Sequence, residues 1–240
     1  GNVIAANTTY TINVDTQNPI FSGVAPASST SASTTTVSYT LSETLQAGTI
    51  TWTRTGGTAD GTSPHAQSLS AGERTIGTHN GIILASPPTL VSGAVYSIAF
   101  NGSDTNGNAA PTITQTGFTF DTSKPTVSSV SVTSLKDADT GAKNVSVTFS
   151  EAMNTAVNPS PTITGLASAY TITGSTWTVG NTVWTGTFTF IDNNEAATGT
   201  YNISTFQDAQ GNAMNADATR TVAVDTRNPA RSEERRVGKE

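Results

Sequence analysis

Along most of the chain, apolar residues alternate with Thr, Ser and Asn, and the strong helix formers Leu, Glu, Lys and Met are sparse. Alternation puts every second side chain on one face of an extended strand. Val37, Tyr39 and Leu41 share a face in this way, as do Ile50 and Trp52, and Tyr96, Ile98 and Phe100. The pattern predicts strands over residues 20–24, 35–42, 49–54, 94–100 and 112–120, with short ones near 74–78 and 81–84. Residues 28–36 read as a polar loop or strand edge, and 56–64 and 103–111 as loops. Further strands are predicted at 127–133, 144–150, 162–164, 170–173, 176–179, 183–190, 200–206 and 220–224, with a polar loop over 136–143. Gly180-Asn181, between two of these, suits a hairpin turn. Roughly seven short strands in each ~105 residues, with frequent turn residues, indicate an all-β architecture of immunoglobulin-like sandwiches.

Superimposed on the alternation is a long period. Asp-Thr-x-x-Pro occurs at Asp15–Pro19, Asp121–Pro125 and Asp225–Pro229, spaced by 106 and 104 residues. Gly-Asn stands fourteen residues before each aspartate, at Gly1, Gly107 and Gly211. In the two complete copies it extends to Asp-x-x-Gly-Asn-Ala, Asp104 to Ala109 and Asp208 to Ala213. Ser42-Glu43 and Ser150-Glu151 end matching alternating runs. A period of one small domain predicts tandem sandwiches over 16–121 and 122–225. Residues 1–15 read as the orphan last strand of a preceding repeat, and 226–230 as a junction to a following one. Residues 231–240 carry seven charges and no alternation. They resemble the translation of a sequencing adapter and stand outside the fold reading.

Composition narrows the chemistry. The chain of 240 residues carries a net charge of −6; without the tail, Lys and Arg fall from 11 to 7 and Asp and Glu from 17 to 14, leaving −7. An acidic, lysine-poor surface argues against nucleic acid and anionic membrane as partners and suits cations. No apolar run approaches the roughly 20 residues that cross a membrane as a helix. There is no cysteine, which removes disulfides and thiolate-bound zinc.

Val147-Thr148-Phe149-Ser150-Glu151-Ala152-Met153, the Asp-x-x-Gly-Asn motif and the Asp-Thr-x-x-Pro junction together resemble the tandem bacterial immunoglobulin-like repeats of large surface adhesins and biofilm-associated proteins. The likeness covers residues 1–229. It implies an extracellular or cell-surface bacterial protein and a stalk of repeats whose partners are neighbouring repeats of the same chain. A distal domain would contact surface glycan or protein. It also implies dependence on calcium.

Strand polarity leads to the same cation. In a seven-strand sandwich the second and sixth strands run back toward the end where the chain enters, so the loops that follow them lie there, beside the segment preceding the first strand. Asp15, Glu43 and Asp104 should therefore meet at that end of the first domain, and Asp121, Glu151 and Asp208 at that end of the second. Asp225 would begin a third set. Carboxylates gathered without basic partners raise each other's pKa, and calcium, which takes six to eight oxygens, relieves the repulsion. The alternative is that each is an ordinary turn residue. Asp137 and Asp139 look like the first half of an EF-hand loop, but Thr148 stands where its last ligand should be, so a solvated loop competes with a weak extra calcium site.

Catalytic patterns are poor. His65 and His79 both fall in the first domain, and no nucleophile elbow or phosphate loop is present. Asp192 and Glu195 read as turn residues rather than an acid and base pair, and the chain reads as a non-enzyme. Trp52 is in phase with the core; Trp177 and Trp184 leave open a rival reading, a glycan-binding module or an accessory domain of a polysaccharide-degrading enzyme.

Overall fold

The computed structural model describes residues 14–136, 139, 141–167 and 170–228. The expected remnant strand ahead of Val14, Asp137 and the tail over 231–240 lie outside the described residues. The chain divides between Thr122 and Ser123 into two compact units, each an all-β sandwich of two sheets.

In chain order the first unit contains β1 (Phe21–Ala25), β2 (Ser31–Ala32), β3 (Val37–Leu41), β4 (Ala47–Gly57), β5 (His65–Ser68), a 3-10 turn at Gly72–Arg74, β6 (Gly77–Ile82), β7 (Ala94–Ser103) and β8 (Ile113–Phe120). One sheet runs β1-β3-β6 and the other β2-β8-β7-β4-β5. Pairing is antiparallel except for β2 beside β8. The alternation does what it predicts: Val37, Tyr39 and Leu41 meet Ile50, Trp52, Tyr96, Ile98 and Phe100 in one core, with Phe21 edge-on to Tyr39 at 5.6 Å. The Tyr39 hydroxyl, carried inside by its ring, donates to the Glu73 carbonyl at 2.7 Å. The Glu73 carboxylate in turn accepts the N–H groups of Ser70 and Ala85, each at 2.6 Å. This buried acid orders the stretch that periodicity leaves undefined, and a 3-10 turn occupies part of the strand expected at 74–78.

The second unit contains β9 (Val127–Val130), β10 (Ser134–Lys136), β11 (Gly141–Phe149), β12 (Thr162–Thr164), β13 (Tyr170–Thr178), β14 (Val183–Phe190), β15 (Ala196–Asn202) and β16 (Thr221–Asp225). Its sheets run β9-β11-β14-β13 and β10-β16-β15-β12. Here too one pair is parallel, β10 with β16. The core gathers Val145, Val147, Phe149, Trp184, Phe188, Tyr201 and Phe206.

Several elements differ from their expected bounds, each for a local reason. The two strands expected at 170–173 and 176–179 are one, because Gly174 and Ser175 form a bulge opposite β14 and the strand continues past it. Strand β5 has no apolar alternation to betray it; it is an edge strand, half-buried at most. Strand β15 begins at Ala196, earlier than the bulky residues suggest. Its Gly199 lies where a Cβ would stand 2.8 Å from both Ile163 and Leu166, so packing there requires the smallest residue.

Candidate metal centre at the end of the first unit

Three elements deliver Asp15, Glu43 and Asp104 to one place. Asp15 lies in the extended segment ahead of β1, Glu43 just beyond β3, and Asp104 just beyond β7. One carboxylate oxygen of each lies within 4.8 Å of those of the other two.

Asp104 is 3% exposed and ties the loop together. Its Oδ1 accepts the backbone N–H groups of Asn106 and Asn108 at 2.9 and 2.8 Å, and its Oδ2 accepts Asn108 Nδ2 at 2.7 Å. Gly107, between them, sits at φ +88°, a conformation that favours glycine. The Asp-x-x-Gly-Asn motif is thus a self-closing loop built on its own aspartate. Asn106 Nδ2 reaches Asp15 Oδ2 and Asn108 Nδ2 reaches the Asp15 carbonyl, both at 3.1 Å.

The three acids are not equivalent. Burial works against charge on Asp104, but the hydrogen bonds from Asn108 and Asn106 outweigh it and hold the carboxyl below its ordinary range. Glu43 is raised, by desolvation first and then by the charges of Asp15 and Asp104. The ligand atoms on offer are all oxygens, those of three carboxylates, while the side-chain nitrogens of Asn106 and Asn108 donate to Asp15 and Asp104. Such a set fits a hard cation of flexible coordination number and lacks the imidazole and thiolate ligands that zinc prefers.

In the second unit Asp208 repeats the loop of Asp104 bond for bond. Its Oδ1 accepts the N–H groups of Gln210 (2.9 Å) and Asn212 (2.7 Å), its Oδ2 accepts Asn212 Nδ2 (2.7 Å), and Gly211 has φ +85°. Glu151 follows β11 and is half-buried. A bridge between Met153 and Asp208 binds the segment after Glu151 to the Asp208 loop. Asp121 belongs to the first unit, where its N–H donates to the Ala32 carbonyl at 3.0 Å and its carboxylate accepts the Ser92 hydroxyl at 3.3 Å.

Two of the other acids singled out from the sequence have cationic partners. Asp225 is exposed and paired through both oxygens with Arg227, at 3.1 and 3.2 Å, and this guanidinium lowers its pKa. Asp139 accepts Lys143 Nζ at 2.9 Å, which lowers it likewise. Asp192 caps a turn by accepting the Asn194 N–H at 2.7 Å.

One carboxylate escapes the sequence reading. Asp60, in the β4–β5 loop, has a side chain only 1% exposed. It accepts His65 Nε2 at 2.6 Å, Tyr96 Oη at 2.7 Å, and the N–H and hydroxyl of Thr62 at 3.0 and 2.8 Å. The bonds from His65 and Tyr96 hold it far below the usual carboxylate range. Asp60-Gly61-Thr62 carries the local Asx-turn signal, but nothing in the sequence places Tyr96 beside it. His79 stacks on Tyr39 at 4.8 Å, and Trp184 donates Nε1 to Asn158 Oδ1 at 2.9 Å. Compared with known proteins, the chain matches no protein-family model and no curated protein.

Proposed function

We propose that the chain is a run of spacer repeats from a bacterial extracellular adhesin, stiffened by calcium at acidic clusters. The observation that carries this reading is the convergence of Asp15, Glu43 and Asp104 with amides as their neighbours. Without a cation, desolvation first and then the charges of Asp15 and Asp104 hold Glu43 raised; with one, each acid becomes a ligand. By the register of the repeat, Asp121, Glu151 and Asp208 are the matching positions, and Asp225 would begin a further set once Arg227 releases it. Calcium at recurring junctions turns a flexible string of domains into a stiffer one, which is the mechanical need of a stalk. Burial of Trp184 weighs against the glycan-binding alternative, since it leaves Trp177 alone, half-buried, as a stacking face.

Calcium that binds only the folded state stabilises it by about 2.7 kcal/mol at a hundredfold excess over Kd, and extracellular modules bind with Kd on the order of 10⁻⁴ to 10⁻³ M. The test is a melt of the whole chain, wild type and Glu43→Gln, across calcium concentrations. Because the folded pKa of Glu43 is raised, its ionised form costs stability as pH rises through that pKa, and no cost remains below the unfolded value of about 4.3. Metal-free Glu43→Gln should therefore melt higher than wild type at neutral pH, with the gap closing in acid. Wild type should gain with calcium while the variant gains little in its first unit. An equal calcium shift in both proteins, or none in wild type at millimolar calcium, overturns the reading.

A further inference from the structure

We propose that Asn80-Gly81 is a site of self-modification, at which Asn80 loses ammonia through a cyclic imide and ages to aspartate and isoaspartate. Strand β6 is the edge of its sheet. The register pairs Val37 with Ile82 but Tyr39 with His79, so Asn80 and Gly81 both stand opposite Ser38. This is a bulge, with Gly81 at φ +59°. A Cβ there would meet nothing within 4 Å, so glycine serves the backbone conformation rather than close packing.

The bulge gives the Gly81 N–H an unusual partner. It donates to Ser38 Oγ at 2.8 Å, and the same hydroxyl donates to Asn80 Oδ1 at 3.1 Å. One hydroxyl bridges the attacking nitrogen and the acyl oxygen, while Asn80 and Gly81 are both exposed to water. Gly81 N forms a bond to Asn80 Cγ as its proton passes to Ser38 Oγ, and the Ser38 proton moves to Oδ1. The tetrahedral adduct then collapses: the Cγ–Nδ2 bond breaks, the added proton returns through the hydroxyl to the leaving group, and ammonia departs. Water reopens the ring. Cleavage at Cγ–N gives aspartate; cleavage at the Asn80 carbonyl gives isoaspartate, with an extra methylene in the main chain. The hydroxyl acts as a positioned proton shuttle, and the bulge fixes the approach.

Two other Asn-Gly pairs serve as internal controls. Asn101-Gly102 lies within β7, paired with β4, and the Gly107 N–H after Asn106 points to the Asp104 carbonyl at 3.4 Å. The experiment is peptide mass mapping of the whole folded chain during incubation at mildly alkaline pH, following loss of ammonia and later gain of water. Asn80 should convert severalfold faster than Asn101 or Asn106. Ser38→Ala should slow it by roughly tenfold, a modest share of what a positioned proton-transfer group contributes, and Ser38→Thr should retain the rate. In denaturant the shuttle is lost, so wild-type Asn80 should react more slowly unfolded than folded, a comparison that holds even if Ser38→Ala fails to fold. Faster reaction in denaturant, no lead over the two controls, or an unchanged or raised rate in folded Ser38→Ala overturns the proposal.

Discussion

The two units place their fifth strands in different sheets. In the first, β4 is long and the chain returns over residues 58–64 to lay β5 against it. In the second, β12 has three residues, and β13 pairs with β14. The difference is one of local closure. A tight turn at Val179-Gly180-Asn181, all at positive φ, joins β13 directly to β14, whereas residues between β5 and β6 form the 3-10 turn held by Glu73. Whichever hairpin the turn chemistry makes easiest captures the strand. The core follows suit. The buried tryptophan of the first unit, Trp52, comes from β4, and that of the second, Trp184, from β14 in the opposite sheet. Gly186 accommodates it, since a Cβ there would lie 2.5 Å from the Trp184 ring. One repeat pattern thus tolerates two solutions for filling its interior.

Removing each tryptophan is the strongest way to probe that comparison. Trp52→Ala and Trp184→Ala should each cost about 3–5 kcal/mol, lowering a melting transition by on the order of 15 °C or more. Calorimetry should show each substitution moving a different transition. If either moves both equally, the units do not unfold independently.

A smaller effect, bounded by pH, should come from Asp60, which only the β4–β5 hairpin possesses. Its depressed pKa means the stability it contributes is present above the unfolded value of about 3.9 and is lost as pH falls toward the folded value. Asp60→Asn should lower the first transition at neutral pH and approach wild type in strong acid, with the second transition unmoved. A pH-independent difference would mean that packing, not charge, accounts for the loss.

The smallest expected change is a gain. Val179 holds φ +53° and is 74% exposed, a costly conformation for a β-branched residue. Val179→Gly should relieve about 1 kcal/mol and raise the second transition by about 4–8 °C. A lowered melting temperature would show that the side chain contributes more than the turn loses.

Much of this molecule was legible from periodicity because its cores are lined by alternating residues on both sheets. The meeting of Asp15, Glu43 and Asp104 was also legible, since strand polarity alone sends those loops to one end. Strand β5 was not, for a polar edge strand has no buried face to leave a pattern. Asp60 was hidden for a different reason: its partner Tyr96 is a core residue in phase with Ile98, and only its hydroxyl reaches the loop. The pairing of Asp225 with Arg227 leaves no mark in the repeat, because the other two copies carry Gln17 and Ser123 at the arginine's position.

The parallel pairing of β2 with β8, and of β10 with β16, has a consequence for load. In each unit a strand near the beginning of that unit lies beside its last strand and runs the same way. Tension applied to the two ends drags these neighbours in opposite directions along their length, so their hydrogen bonds are sheared side by side rather than peeled one at a time. Those bonds include Thr119 N–H to the Thr30 carbonyl at 2.9 Å and Asp121 N–H to the Ala32 carbonyl at 3.0 Å in the first unit. In the second, Ala223 N–H meets the Thr133 carbonyl at 2.9 Å. Resistance to pulling is a matter of unfolding rate rather than equilibrium stability, so a few short strands at the seam set the rupture force of a whole sandwich.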